Sequence, residues 1–236
     1  MWEVPKKCIV TVDDAMQLLD TLVPMKVAWE PFYAEGKRKP PFLQNIPDEN
    51  LVSYFSAGTM LPGKALDLGC GQGRNALYLA KQGCQVEAID LSATAIGTAR
   101  HRGKEAGVEV HFSVGSVFEV LIGVGEYDIV YDSGLLHHLQ PHRRPQYLEI
   151  VQRALKPTGL FGLVCFAEES APASEDWEIY QAMKMPPGIG YSESRLCQVV
   201  SPYFEVLEFR PMKVVPAESG RFGMEGLWTL LMKARR

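Results

Sequence analysis

The stretch from Lys64 to Ala80, Lys-Ala-Leu-Asp-Leu-Gly-Cys-Gly-Gln-Gly-Arg-Asn-Ala-Leu-Tyr-Leu-Ala, constrains this chain more than any other. A short apolar run enters a turn with glycine at 69, 71 and 73, and a helical pattern leaves it. With no side chains in the way, a ligand lies directly against the backbone, and the turn takes positive φ at no steric cost. The helix start beyond it aims unpaired N–H groups at whatever sits there. The stretch therefore predicts a buried strand, a ligand-holding turn and a helix.

The rest of the chain repeats that rhythm. Gln85 to Asp90 is a second strand, Ser92 caps a helix running to about Ala106, and Val108 to Ser113 alternates as a third strand. Tyr127 to Asp132 is a fourth strand, Gln146 to Leu155 a helix, and Gly159 to Phe166 a continuous apolar fifth strand. Ser192 opens another helix, and Phe204 to Phe209 and Leu227 to Met232 close the pattern as two further strands. Alternation of this kind predicts an α/β fold, a Rossmann-like, doubly wound, mostly parallel seven-stranded sheet with helices on both faces and ligands at the carboxyl ends of the strands.

Two segments stand outside the rhythm. Residues 1–60 carry helical apolar spacing from Ala15 to Leu22, then a run rich in proline and aromatics that includes Trp29, Phe32, Tyr33 and Phe42. Pro47-Asp-Glu-Asn reads as a helix start with Pro and acids in its first turn. This extension is either a flap packed on the core or a helical, aromatic lid over a ligand. Residues 167–190 form a polar cap insertion in which Met183 and Met185 either line a substrate pocket or pack down a loop. One domain is expected, with 1–60 as the lid and 61–236 as the ligand-binding body.

Composition narrows the partners. With 24 basic against 28 acidic residues the formal charge is -4, which supplies no general attraction for nucleic acid or an anionic membrane. Five scattered cysteines without a Cys-x-x-Cys pair argue against a disulfide framework or a zinc site and for a reducing, cytoplasmic setting. The first residues lack an apolar signal core, and no apolar run approaches the roughly 20 residues that span a bilayer. Oligomeric state is not legible here.

Spacing then separates two ligands for the turn. A dinucleotide fingerprint, Gly-x-Gly-x-x-Gly counted from Gly69, needs glycine at 74, where Arg74 stands. The segment Leu66-Asp67-Leu68-Gly69-Cys70-Gly71-Gln72-Gly73 instead resembles the first motif of the class I S-adenosylmethionine-dependent methyltransferases, and the likeness covers residues 60–166. Within that superfamily, Asp132-Ser133-Gly134-Leu135-Leu136-His137-His138-Leu139 and the aromatic N-terminal region resemble the thiopurine and tellurite-resistance type. The resemblance implies S-adenosylmethionine as methyl donor, S-adenosylhomocysteine as product and a small-molecule acceptor. No Asn/Asp-Pro-Pro-Tyr follows the fourth strand, unlike amino-methylating nucleic-acid enzymes. An NAD(P)-binding oxidoreductase and a non-catalytic adenosyl-ligand-binding protein are the alternatives.

The chemistry of an adenosyl amino acid matches particular residues. Gly69, Cys70, Gly71, Gln72 and Gly73 offer backbone, and the helix from near Asn75 offers N–H groups to a carboxylate. Asp67 is placed to take the ammonium or to fix the turn. Asp90 and Leu91 end the second strand about twenty residues on, where an acid reaches ribose hydroxyls. Ser116 and Val117 stand where the adenine would lie, and a serine hydroxyl accepts its amino group more weakly than a carboxylate would. Asp132 ends the fourth strand beside the sulfonium, followed by His137 and His138, of which at most one serves as base and either is otherwise a wall residue. No metal is expected, since Pro141 disturbs the spacing of His138 and His142. Arg100, His101, Arg102 and Lys104 read as a solvated helix end, Arg143 and Arg144 as the same or as contacts for an anionic acceptor, and Cys165 as core.

Overall fold

The structure, a computed structural model, describes residues 8–36 and 40–235, so readings that fall on 1–7 and 37–39 of the N-terminal extension lie outside the described residues. Helices α1 (Val12–Leu22), α2 (Trp29–Glu35) and α3 (Glu49–Ser56) come first. The alternating body follows as β1 (Lys64–Leu68), α4 (Arg74–Lys81), β2 (Gln85–Asp90), α5 (Ala93–Ala106), β3 (His111–Val114) and β4 (Tyr127–Ser133). It continues with α6 (Arg144–Ala154), β5 (Leu155–Phe166), α7 (Asp176–Ala182), α8 (Glu193–Val200), β6 (Phe204–Pro211) and β7 (Leu227–Ala234).

The seven strands lie in the order β3-β2-β1-β4-β5-β7-β6, with β7 antiparallel to both of its neighbours and the other pairs parallel. β1 pairs with β2 on one side and β4 on the other, so the strand order reverses there and a crevice opens at the carboxyl ends. Because side chains alternate along a strand, Leu66, Leu68 and Val130 join a core layer with Tyr147, Leu148 and Val151 of α6. Ala65, Ala88 and Tyr131 join the opposite layer with Leu51, Leu79 and Ile96. Each fully buried leucine here stabilises the fold by ~1.5–3 kcal/mol.

The differences from the expected elements have local causes. The third strand begins at His111 rather than Val108, because Gly107 ends α5 in the left-handed region and the Val108 amide donates back to the Gly103 carbonyl at 3.1 Å. The fifth strand starts four residues early, at Leu155, where a register shift against Tyr127–Ile129 absorbs the extra length. α6 starts at Arg144, since a 3-10 turn over Pro141–Arg143 leads straight into it. Pro47 precedes the α3 N-cap, Asp48, and that carboxylate turns inward instead of capping. The cap at 167–190 contains α7 and is stitched to the body by a bridge between Ala167 and Tyr191.

α1 and α2 bury no residue fully. They meet the body through polar clasps: Asp20 accepts from His142 and Arg143, and Glu30 accepts from Ser92 and Thr94. Among the described residues no helix is long and apolar enough to cross a membrane.

Candidate functional site

At the reversal point lies a cavity of about 600 Å³. Its floor is the glycine turn. Gly69 and Gly71 both have positive φ, +67° and +53°, and a Cβ on Gly71 would stand 2.7 Å from the Tyr33 hydroxyl. The lack of side chains lets the Tyr33 hydroxyl of α2 close directly onto the backbone at Gly71, while positive φ at both glycines shapes the turn.

Two carboxylates flank the turn in different ways. Asp90, at the end of β2, accepts from the Gly71 amide at 2.8 Å and the Ser92 amide at 2.9 Å, which fixes the turn against the next helix. Burial raises its pKa and those two amide bonds oppose the rise. Asp67 lies beneath the turn, 2 % exposed, and its Oδ2 has no hydrogen-bond partner. Burial pushes its pKa up to about 8, against the pull of Arg74 and with the help of Asp48 and Asp132. An orphaned carboxyl oxygen in a cavity floor is a receptor for a cation or a donor group.

Most of the expected residues meet in this one cavity. Asp67, Gly69, Cys70, Gly71, Gln72 and Asn75 form one side, and Asp90, Leu91, Ser116 and Val117 the next. His137 and His138 line the cavity as well, with Trp29 packed on His138, and Tyr33 and Phe42 complete the aromatic part of the wall. Asn75 also ties the turn to α3, its Nδ2 donating to Asp48 at 2.9 Å.

Five expected residues stand outside the wall. Gly73 caps α4, and a Cβ there would run into Ala99 and Phe112 at 3.0 and 3.2 Å, so its smallness serves helix packing. Asp132 is consumed locally: its two oxygens accept from the amides of Leu135 and Leu136 and from the Tyr147 hydroxyl. Phe32 stacks on Phe42, one layer behind the cavity. Met183 ends α7 exposed, and Met185 is buried in the core.

The histidine pair, expected as a base or as wall residues, stands in the wall with its ring nitrogens engaged. His137 Nδ1 accepts from the Phe166 amide at 3.2 Å, the two Nε2 atoms are 3.1 Å apart, and His138 Nδ1 sits 2.6 Å from the Pro187 carbonyl. All four ring nitrogens are occupied. Burial lowers the pKa of His137 well below its ordinary value and that of His138 to about 4. Neither ring presents a free base to the cavity; His137 stacks on Phe166, and the edge of Trp29 meets His138 at 4.8 Å.

Other wall residues carried weak signals or none. Arg74, in the position that breaks the dinucleotide pattern, donates to Asp48 at 2.5 Å and Ser133 at 2.9 Å and lies 4.5 Å over the Phe222 ring. Arg102 is not a solvated helix-end cation: it donates to the carbonyls of Gln72 and Leu43, clasping the turn to the N-terminal segment. Its signal was its place on the inner face of a helix that also buries Ala95 and Ala99. Phe166 closes the far side from the end of β5, with Phe222, Met224 and Leu227 from the C-terminal part. No local pattern marks these last three, because they arrive through the late insertion of β7 beside β5. Among the described residues, no three His, Cys, Asp or Glu side chains converge as metal ligands.

Residues 65–159 match the model of a family described as a methyltransferase domain. An uncharacterized methyltransferase of Synechocystis sp. is 36% identical over 120 residues, which is 50% of this chain and 51% of that protein. The 2-heptyl-1-hydroxyquinolin-4(1H)-one methyltransferase of Mycobacteroides abscessus is 27% identical over 177 residues, 75% of this chain and 73% of that one. The chain spans about half the length of most curated relatives it matches. Among solved structures, the 1,6-didemethyltoxoflavin-N1-methyltransferase of Burkholderia thailandensis, with 1,6-didemethyltoxoflavin and S-adenosylhomocysteine bound, shares the fold at a TM-score of 0.67 and 19% identity, over 98% of this chain and 93% of that one.

Proposed function

We infer that the chain is a class I S-adenosylmethionine-dependent methyltransferase and that it transfers a methyl group to a small-molecule acceptor, a reading supported by the methyltransferase-domain match and the named methyltransferase relatives. S-Adenosylmethionine is the cofactor, and when bound it supplies a methyl carbon activated by an adjacent sulfonium. The cavity floor fits it. Asp67 Oδ2, buried and without a partner, is the oxygen assigned to the ammonium, and this observation carries the reading. The bare backbone of Gly69 and Gly71 takes the amino-acid chain. Asp90 has lone pairs beyond its two amide bonds for the ribose hydroxyls, and Ser116 and Val117 flank the adenine.

The remaining wall orients the acceptor. Trp29, Tyr33, Phe166 and Phe222 make a mostly aromatic chamber that suits a flat, compact molecule, and the α1–α2 segment acts as its lid. Alignment of the acceptor's nucleophilic atom behind the methyl carbon is the main service these side chains provide, since an in-line displacement on an activated donor gains most from proximity. One relative is named for 2-heptyl-1-hydroxyquinolin-4(1H)-one, a flat ring system that carries an alkyl chain.

Asp67 supplies the test. Its pKa of about 8 lies above the ordinary 3.8, so the empty protein carries that proton at pH 6 to 7. The protonated carboxyl's contribution to stability is full below pH 4 and is lost as pH rises toward 8. A bound ammonium favours the ionised form, so binding expels the proton. Calorimetry of S-adenosylmethionine binding in buffers of different ionisation heat should show about one proton released near pH 6.5, and affinity rising by up to about tenfold per pH unit until pH 8. Zero proton release with tight binding would place the ammonium elsewhere.

A further inference from the structure

Building on the methyl-transfer reading, we propose that the acceptor enters with its nucleophilic atom already deprotonated: a thiolate, an acidic hydroxyl ionised near neutral pH, or the anion of a nitrogen heterocycle. The reason is that, among the described residues, no side chain beside the histidine pair is free to take a proton. The histidine pair is a chain with one direction only. The Phe166 amide can only donate, so His137 Nδ1 accepts and the His137 proton sits on Nε2. That N–H points at Nε2 of His138, which must accept, leaving Nδ1–H to donate to the Pro187 carbonyl. A second proton on His138 would set two N–H groups against each other across the 3.1 Å gap. One on His137 would face the Phe166 N–H. Either ring breaks a buried hydrogen bond to become charged, in agreement with the lowered basicity of both.

Apart from Glu119 at the rim, the other carboxylates on the wall are committed too. Asp20 is held by His142 and Arg143, Asp90 by two amides, and Asp67 faces the ammonium. Burial drives the Tyr33 phenol further from ionisation, and Glu119 is exposed at the rim past Ser116 and Val117. Arg102, by contrast, ends its donors on the carbonyls of Gln72 and Leu43, with Glu105 as its neighbouring negative charge. Its positive charge draws an anion into the cavity. As the acceptor's electron pair forms the bond to the methyl carbon, the carbon–sulfur bond breaks and its pair stays on sulfur. The negative charge of the acceptor and the positive charge of the sulfonium cancel, and no proton moves.

Histidine ¹⁵N NMR of the full chain saturated with S-adenosylhomocysteine tests this without turnover. The expected spectrum keeps His137 Nδ1 and His138 Nε2 unprotonated, with neither ring titrating between about pH 6 and 8. In parallel, kcat/KM for thiophenol and for 4-nitrothiophenol should rise with pH along two separate curves, each with its midpoint at that thiol's own pKa. His138→Gln should lower the rate, through misplaced Trp29 and Pro187, and move neither midpoint. A ring that titrates in that window, or one midpoint shared by both thiols and lost in His138→Gln, overturns the proposal and leaves methyl transfer standing. Failure of S-adenosylhomocysteine to bind at all, seen by calorimetry beforehand, removes the methyl-transfer reading itself.

Discussion

Arg74→Met should destabilise the protein by ~3–5 kcal/mol in denaturant unfolding at neutral pH, the range for breaking a buried ion pair from one side. The Arg74 side chain is 9% exposed and that of Asp48 0%. Removing the guanidinium strands a carboxylate deep in the floor, with only the Asn75 amide and the Tyr131 hydroxyl still donating to it. The same cation opposes the burial-raised pKa of Asp67, so its loss moves that carboxyl further toward the neutral form. The double replacement Arg74→Met, Asp48→Asn should recover part of the loss, because no charge then remains unpaired. Single-variant losses under about 1 kcal/mol would show that water, not Arg74, solvates Asp48.

Asp90→Ala should weaken S-adenosylmethionine by roughly 10- to 100-fold, from the loss of charge-assisted hydrogen bonds worth ~1.5–3 kcal/mol. Part of the effect is indirect. The amides of Gly71 and Ser92 lose their acceptor, so the turn loosens as well. Asp90→Asn keeps one amide acceptor and loses the charge, and should fall between the two. Unchanged affinity in a folded Asp90→Ala protein, checked by its melting, would remove the ribose role.

How much of this was legible depends on how local each feature is. The glycine turn and Asp90 are legible because their placement rests on backbone conformation and strand length, which spacing encodes. The alternation of periods likewise gives the parallel body. Asp132 misled because a strand-end acid looks the same whether it meets a ligand or, as here, its own following amides. For His137 and His138 the choice between base and wall residue was not legible, since the groups that fix their hydrogen bonds, Phe166 and Pro187, are far away in sequence. Arg102 sits in a cluster of cations whose composition says solvent, and only the approach of Leu43 turns it inward. Phe222, Met224 and Leu227 reach the wall by topology, which no local pattern carries.

The central claim is that the glycine turn with Asp67 and Asp90 is built for an adenosyl amino acid. Isothermal calorimetry of the intact chain with S-adenosylmethionine, S-adenosylhomocysteine and NAD tests it most directly. The account predicts one-to-one binding of both adenosyl ligands and no competing affinity for NAD, whose turn would need a glycine where Arg74 stands. Preferential binding of NAD, with the adenosyl ligands silent, would contradict it.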